Sequence, residues 1–543
     1  MTLPEIVEKN RVLVGRGGAV LVGALLMAWP ALYNGYPLLY PDSMTYLGDG
    51  RKVARALFLH KFSDYYGIRS FIYSLGILPW HRNVTPWPIV AFQALLTAYV
   101  IWLVVRSILR RQAASHYLVL VALLNLFTSL SWYVSLIMPD ILGPVLYLCV
   151  YLLVFAPETL THAERLAVAL SAWWAVASHA THLILAVGLC ALLTLLLVLR
   201  RQFIQRRWKV VGEVAIIVLL AAATQLVLHT YLYGEPSLYG EHPPFLMARV
   251  IADGPGRWYL EQHCGEVKLA ICDHVHNLPN DSDDFLWGAD GIWQSADEAT
   301  QKRLRQEEVP FVLATLRAYP RQQLSKSAGN FLQQLTAFGL SLDRSDWVLE
   351  VFDRVLPGGR PNYLQSRQAR NALPFEFFTS VQNWTIITSL VVIGALTPRL
   401  WRRRPPRLVG LSVVIVSMVI ANAFVTGALS RVEDRFQSRV IWVLSLLAGL
   451  FVVDWLATSS GNRCSLVKFG TVDYCRKIPI TLIVKTCYGL LVTTGNRSTT
   501  NQCHKPTVRL LADTTCIAHP AVDFHFWLCL TLGRKAIHEV ADL

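Results

Sequence analysis

Apolar runs long enough, or nearly long enough, to cross roughly 30 Å of hydrocarbon recur along this 543-residue chain, and that recurrence constrains its fold more than any other feature. Inside a bilayer there is no water for backbone groups to bond, so each run has to close its hydrogen bonds internally as a helix. The runs are Val20–Tyr33, Ile89–Val105, Tyr117–Met138, Ile141–Phe155, Leu166–Ser178, Leu183–Leu199, Val210–Leu228, Trp384–Leu396, Leu408–Leu429 and Val440–Leu456. The expected fold is an all-α polytopic membrane protein of about ten transmembrane helices. Hydrophobic residues make up 54% of the chain and charged residues 16%, which puts it outside the range of soluble domains.

Basic residues set the expected orientation, because Lys and Arg collect at cytoplasmic span ends. Lys9, Arg11 and Arg16 precede the first run, and Arg106, Arg110 and Arg111 follow the second. Arg200, Arg201, Arg206, Arg207 and Lys209 lie between the sixth and seventh, and Arg399, Arg402, Arg403, Arg404 and Arg407 between the eighth and ninth. With ten spans all four clusters fall on one side, which predicts a cytoplasmic N-terminus in a cell inner membrane. No small-x-small cleavage site follows the first run, so it reads as a retained span and not as a signal peptide. The net charge of +14 is then a topogenic signal; the clusters sit at span ends, which argues against nucleic-acid binding.

This topology gives the external face the 34–85 loop, the Pro139-Asp140 turn, the His179–His182 turn, the 230–382 segment and the turn from Ser430 to Arg439. In the first loop, Ser43 to Leu59 and Tyr66 to Leu78 carry apolar residues at helical spacing around a polar Lys61-Phe62-Ser63-Asp64 turn. They are expected to be two amphipathic helices lying in the interface. The domain organisation is an N-terminal transmembrane module (1–229), a mainly helical external segment (230–382), a C-terminal transmembrane module (383–458) and a tail (459–543). Cys264 and Cys272 are close in sequence within the external segment, where they either pair as a disulfide or remain thiols.

The tail reads differently from the rest. It holds six of the ten cysteines and loses helical periodicity, which points to fused or frame-shifted sequence. Cys503, His504, Cys516, His519 and His525 lack the spacing of a zinc site.

Asp42, in Tyr40-Pro41-Asp42-Ser43, stands just beyond the first span, where a carboxylate suits chemistry on a lipid-linked substrate. Pro41-Asp42-Ser43 in a long first external loop resembles the integral-membrane glycosyltransferases of the GT-C superfamily, which include protein O-mannosyltransferases and aminoarabinose transferases of lipid A. Met138-Pro139-Asp140-Ile141 at the external start of a span is similar to a second feature of that group. Asp434-Arg435-Phe436 with Arg439, leading into a late span, looks like a third. The resemblance covers the layout from about Val12 to Leu456. It departs from the pattern where many members carry a paired acid, since Asp42 is followed by Ser43 and the next carboxylate is Asp49. Seven residues apart, Asp42 and Asp49 share a face if Ser43 to Leu59 is helical.

The resemblance implies transfer of a sugar from a polyprenyl-phosphate donor to an envelope lipid, glycan or protein acceptor, beside membrane lipids. Such transfer needs a base for the acceptor proton, the role given to Asp42. It also needs cations for the departing phosphate, the role given to Arg435 and Arg439, which share a face if their turn is helical. Asp140, Arg69, His179 and His182 complete the candidate substrate-binding set. Each residue has a structural alternative. Asp42 and Asp140 suit helix N-termini, Glu433 and Asp434 suit surface pairs with Arg431 and Arg435, and Arg69 suits snorkelling to head groups. His179 and His182 are spaced like metal ligands but have no identifiable third partner. No cofactor is firmly indicated. A divalent Mg²⁺ or Mn²⁺ stays open, although one or two carboxylates bind such ions poorly. The rival readings are a transporter or flippase for a lipid-linked saccharide, which should show midplane charges or repeats, and a noncatalytic scaffold.

Overall fold

The computed structural model describes residues 17–62, 69–109, 113–199, 207–234, 236–238, 240–342 and 345–464. The cysteine-rich tail with its Cys503–His525 cluster lies outside them, as do Lys9, Arg11, Arg16, Tyr66, Arg110, Arg111 and Arg200 to Arg206. Among the described residues there is no strand, only an isolated parallel bridge between Leu38 and Leu136. All ten apolar runs are wholly or largely helical. Seven helices are long and apolar enough to cross a membrane: Gly17–Asn34, Trp87–Leu109, Ala180–Val198, Trp208–Tyr233, Phe375–Arg403, Pro406–Leu429 and Asp434–Ser459. Ala113–Phe127, Pro139–Phe155 and His162–Ala177 are shorter. The molecule is an all-α membrane protein.

The Tyr117–Met138 run is not one unbroken helix. The helix stops at Phe127 and a second short helix, Leu130–Ser135, follows. Hydroxyls take over at the break: the Leu130 N–H donates to Thr128 Oγ1 at 3.3 Å and Ser129 donates to the Ser438 carbonyl at 2.6 Å, bonds that compete with a continuous helix. Met138 is then extended because it precedes Pro139, which disfavours the helical region.

Leu142–Phe155 is the axis of the bundle, with every one of its residues buried. It is packed by the Trp87–Leu109, His162–Ala177, Trp208–Tyr233, Pro406–Leu429 and Asp434–Cys464 helices. Its C-terminal end is ringed by basic side chains. Arg407 pairs with Glu158 at 2.9 Å, Arg106 with Glu164 at 2.6 Å, and Arg207 donates to the Val154 carbonyl at 2.6 Å. At that same end Thr161 and Glu164 form a reciprocal capping box that starts His162–Ala177. The other end of the axis, about 20 Å away at 1.5 Å per residue, carries Pro139 and Asp140.

The 230–382 segment divides. Residues between Phe245 and Val312 enclose a separate small core, in which buried Glu308 accepts the Leu246 N–H at 2.7 Å. Cys264 and Cys272 form a disulfide there. Residues from Leu340 to Phe375 instead pack into the core of the bundle, placing Asp346–Val355 against the first-loop helix Pro41–Leu59. The second loop helix is Phe71–His81, displaced from the expected Tyr66–Leu78. At the ends of the first-loop helices, Phe58, Leu59, Trp80 and Val84 are exposed.

Candidate functional site

Two short extended strips build the site. After Gly17–Asn34 the chain turns at Gly35, whose φ of +82° suits glycine. Residues 36–40 then run beside Leu136–Met138, with the Leu38 N–H donating to the Ser135 carbonyl and the Ile137 N–H to the Leu38 carbonyl, both at 3.0 Å. Gln368 clasps this strip from outside: its Oε1 accepts the Leu39 N–H at 3.1 Å and its Nε2 donates to the Leu39 carbonyl at 2.6 Å. Gln93 clasps the other, donating to the Val134 and Leu136 carbonyls at 2.9 Å each while its own Oε1 accepts from the Tyr73 hydroxyl at 2.8 Å. Each strip ends in a proline that starts a helix, which brings Pro41-Asp42 and Pro139-Asp140 into one neighbourhood.

Asp42 does not cap its helix. Tyr40 occupies the N-cap, Asp42 lies in the first turn, and its carboxylate accepts from Arg69 Nη2 at 2.6 Å. Burial opposes the charge on Arg69, but Asp42 and Tyr46 outweigh it and raise the guanidinium pKa. Asp140, 1% exposed, also makes no cap; it meets Arg439 Nη1 at 3.2 Å. Arg439 is equally buried and donates through Nη2 to Asn422 Oδ1 at 3.3 Å. Asn422 is fixed in turn by bonds to the Phe436 carbonyl and Gln437 Oε1.

Arg435 lies one helical turn before Arg439. Its guanidinium carbon stands 4.0 Å from the centre of the Tyr40 ring and 5.1 Å from that of Phe436. Glu433 approaches its Nε at 3.7 Å but is also held by Arg431 at 3.1 Å. Nη1 and Nε of Arg435 are buried without a hydrogen-bond partner. Beside it, burial raises the Tyr40 hydroxyl to about 12, with Arg435 pulling the other way. Fully buried Tyr46 lies within electrostatic reach of Asp42, Arg69, Asp140 and Arg435 together.

His179 caps Ala180–Val198, its Nδ1 accepting the Thr181 N–H at 3.1 Å. Burial, reinforced by His182, Arg439, Arg69 and Arg435, holds its pKa well below the ordinary imidazole value, so it is neutral. His182, ring centre 5.2 Å from that of His179, donates from Nδ1 to the Ala175 carbonyl at 2.9 Å. Its Nε2 faces Gly143, where an added methyl would stand only 3.0 Å away.

The structure thus gathers Asp42, Arg69, Asp140, Arg435, Arg439, His179 and His182 at one end of the bundle, opposite the basic ring. Asp49 is separate; it is buried beside Lys52 at 3.5 Å. No three His, Cys, Asp or Glu side chains among the described residues come together as metal ligands. With Asp42 committed to Arg69 and Asp140 to Arg439, these residues do not fit a Mg²⁺ or Mn²⁺ site. Tyr40 and Tyr46, which flank Asp42 in sequence, belong to the site, and Asn422, Asp283 and Trp287 belong to it or its rim with no local sequence signal. A scan against protein-family models and searches of curated proteins and of solved structures found no significant match to this chain.

Proposed function

We propose that the protein is a polytopic membrane glycosyltransferase of the GT-C type, moving a sugar from a polyprenyl-phosphate donor to an envelope acceptor. The observation that carries this reading is Arg435, a buried guanidinium whose Nη1 has no hydrogen-bond partner and whose Nε has only the 3.7 Å ion pair with Glu433, set beside the Asp42–Arg69 pair at a bundle end. A buried cation with unfilled hydrogen-bond donors suits a phosphate, which accepts charge-assisted bonds. In the reaction Asp42 takes the proton of the acceptor hydroxyl. The acceptor oxygen bonds the anomeric carbon as the bond from that carbon to the phosphate oxygen breaks, and the departing polyprenyl phosphate keeps the electron pair against Arg435. Asp140 and Arg439 are positioning residues, because their pair is sealed from the surface and fixes the helix that carries Arg435.

The same reading has ten crossings, the basic ring in the cytoplasm and the Asp42 cluster on the external face of the inner membrane. Two observations support it. The basic ring and the cluster occupy opposite ends of one helix, and the Cys264–Cys272 disulfide lies in the segment assigned to the oxidising side. The experiment is transfer of radiolabelled sugar from a panel of polyprenyl-phosphate donors by purified protein, with Asp42→Asn and Arg435→Ala alongside. Turnover by wild type that falls about 10²-fold or more in each folded variant is expected. Absence of transfer by folded wild type would sink the reading and favour a transporter or scaffold.

A further inference from the structure

The small external core reaches the site through one short helix, Ser282–Trp287. Asp281 caps it, accepting the Asp283 N–H at 2.6 Å. Asp283 forms an ion pair with Arg431, which holds Glu433 beside Arg435. Four residues later, on the same face of the helix, the Trp287 ring centre lies 6.0 Å from the guanidinium carbon of Arg69, the partner of Asp42. A single helical turn therefore touches both walls of the cluster: the turn that leads to Arg435 and the residue that holds Asp42.

Trp287 is backed by Phe245, with ring centres 6.3 Å apart, and packs against the small core while remaining partly exposed. An indole in that position offers a flat apolar face bearing the negative side of its quadrupole. Carbohydrate rings match such a face with their C–H bonds while their hydroxyls bond to carboxylates at the edge, here Asp283 and Glu433. Acyl chains match the apolar face but bring no hydroxyls to the carboxylates. The side of the site matters as well. A donor tied to a polyprenyl chain enters from the membrane at Arg435, whereas Trp287 belongs to a soluble core and stands against the residue that orients the base.

We infer that Trp287 is the platform for the acceptor and that the acceptor is itself a saccharide, stacked on the indole with a hydroxyl directed at Asp42. This rests on the transferase reading above. The Asp283–Arg431 pair is a positioning contact that keeps the platform over the site.

The test uses the full-length protein in nanodiscs and two independent readouts. Saturation-transfer NMR with a panel of methyl glycosides measures sugar contact without turnover. Transfer assays compare short alkyl glycosides with a Ser/Thr peptide as acceptor. Wild type should give saturation transfer to at least one methyl glycoside, Trp287→Phe should retain it and Trp287→Ala should lose it. In the transfer assay, Trp287→Ala should raise KM for the alkyl glycoside about tenfold with kcat nearly unchanged. An intact Cys264–Cys272 disulfide, read by thiol alkylation, confirms that each variant keeps the small core. Equal saturation transfer in wild type and Trp287→Ala, or transfer to the peptide and not to the glycosides, overturns the inference. Saturation transfer that depends on Trp287 with no sugar transfer to any acceptor keeps the saccharide platform and removes the transferase reading.

Discussion

Leu38 and Leu136 are joined as a parallel bridge, and that bridge is why two carboxylates almost a hundred residues apart share a site. It aligns the strip that ends in Pro41-Asp42 with the strip that ends in Pro139-Asp140. Within a membrane bundle such irregular backbone survives only when protein groups satisfy it, which is what Gln93 and Gln368 do.

Gln368→Ala should therefore act on the site from a distance. It removes both partners of the Leu39 backbone, leaving a buried N–H and C=O at a cost of about 1–3 kcal/mol. Thermal unfolding in detergent should show the loss, and Gln368→Glu should be no milder, because its buried carboxylate would face the Leu39 carbonyl oxygen. Unchanged stability in the alanine variant would mean that the strip finds other partners.

Gly143 gives a second handle. A methyl group there would sit 3.0 Å from His182 Nε2, closer than ordinary packing allows, and His182 is anchored at its other nitrogen by the Ala175 carbonyl. Gly143→Ala should destabilise by about 1–3 kcal/mol through overpacking. Adding His182→Ala should relieve part of that, so the two changes should be non-additive in unfolding measurements. Simple additivity would show that the imidazole moves aside freely.

Much of this was legible in the chain. The apolar runs define the helices because hydrocarbon thickness fixes their length, and Asp42, Asp140, Arg435 and Arg439 stand out because charge at a span end is costly enough to need a reason. What local reading misses is pairing. The Asp42–Arg69 and Asp140–Arg439 contacts are made 27 and 299 residues apart, so nothing beside Asp42 tells a helix cap from an ion pair. The break at Thr128-Ser129 is hidden because hydropathy does not register hydroxyls bonding to backbone. Trp287 is hidden for a different reason: an aromatic in a soluble segment ordinarily means core, and only its position against Arg69 gives it another meaning.

His81, at the end of Phe71–His81, sets a pH dependence. Its Nδ1 accepts the Asn83 N–H at 2.9 Å, its Nε2 is buried without a partner, and burial lowers its pKa from 6.5 to about 4. The unfolded chain takes up a proton near pH 6.5, whereas the folded form resists until about pH 4. Stability from this residue is thus fully present above pH 6.5 and is lost as pH falls toward 4, by up to about 3 kcal/mol. His81→Phe should flatten that part of the melting-temperature profile between pH 7.5 and 4.5, and profiles that stay parallel would refute the assignment.

The Asp140–Arg439 pair separates positioning from binding. Both side chains are 1% exposed, and Arg439 also reaches Asn422, so removing one partner strands a charge inside the bundle. Asp140→Leu or Arg439→Leu alone should cost about 3–5 kcal/mol, while the double variant should recover only part of it, because Arg435 still loses Asp140 as a counter-charge. A double-mutant cycle by denaturant unfolding in detergent measures that coupling. Activity then distinguishes the roles. If Arg439 only holds the helix that carries Arg435, kcat and the donor KM of the double variant should recover in step with its stability. If Arg439 itself binds phosphate, the donor KM should rise even where stability has recovered, and its role as a positioning residue would have to be abandoned.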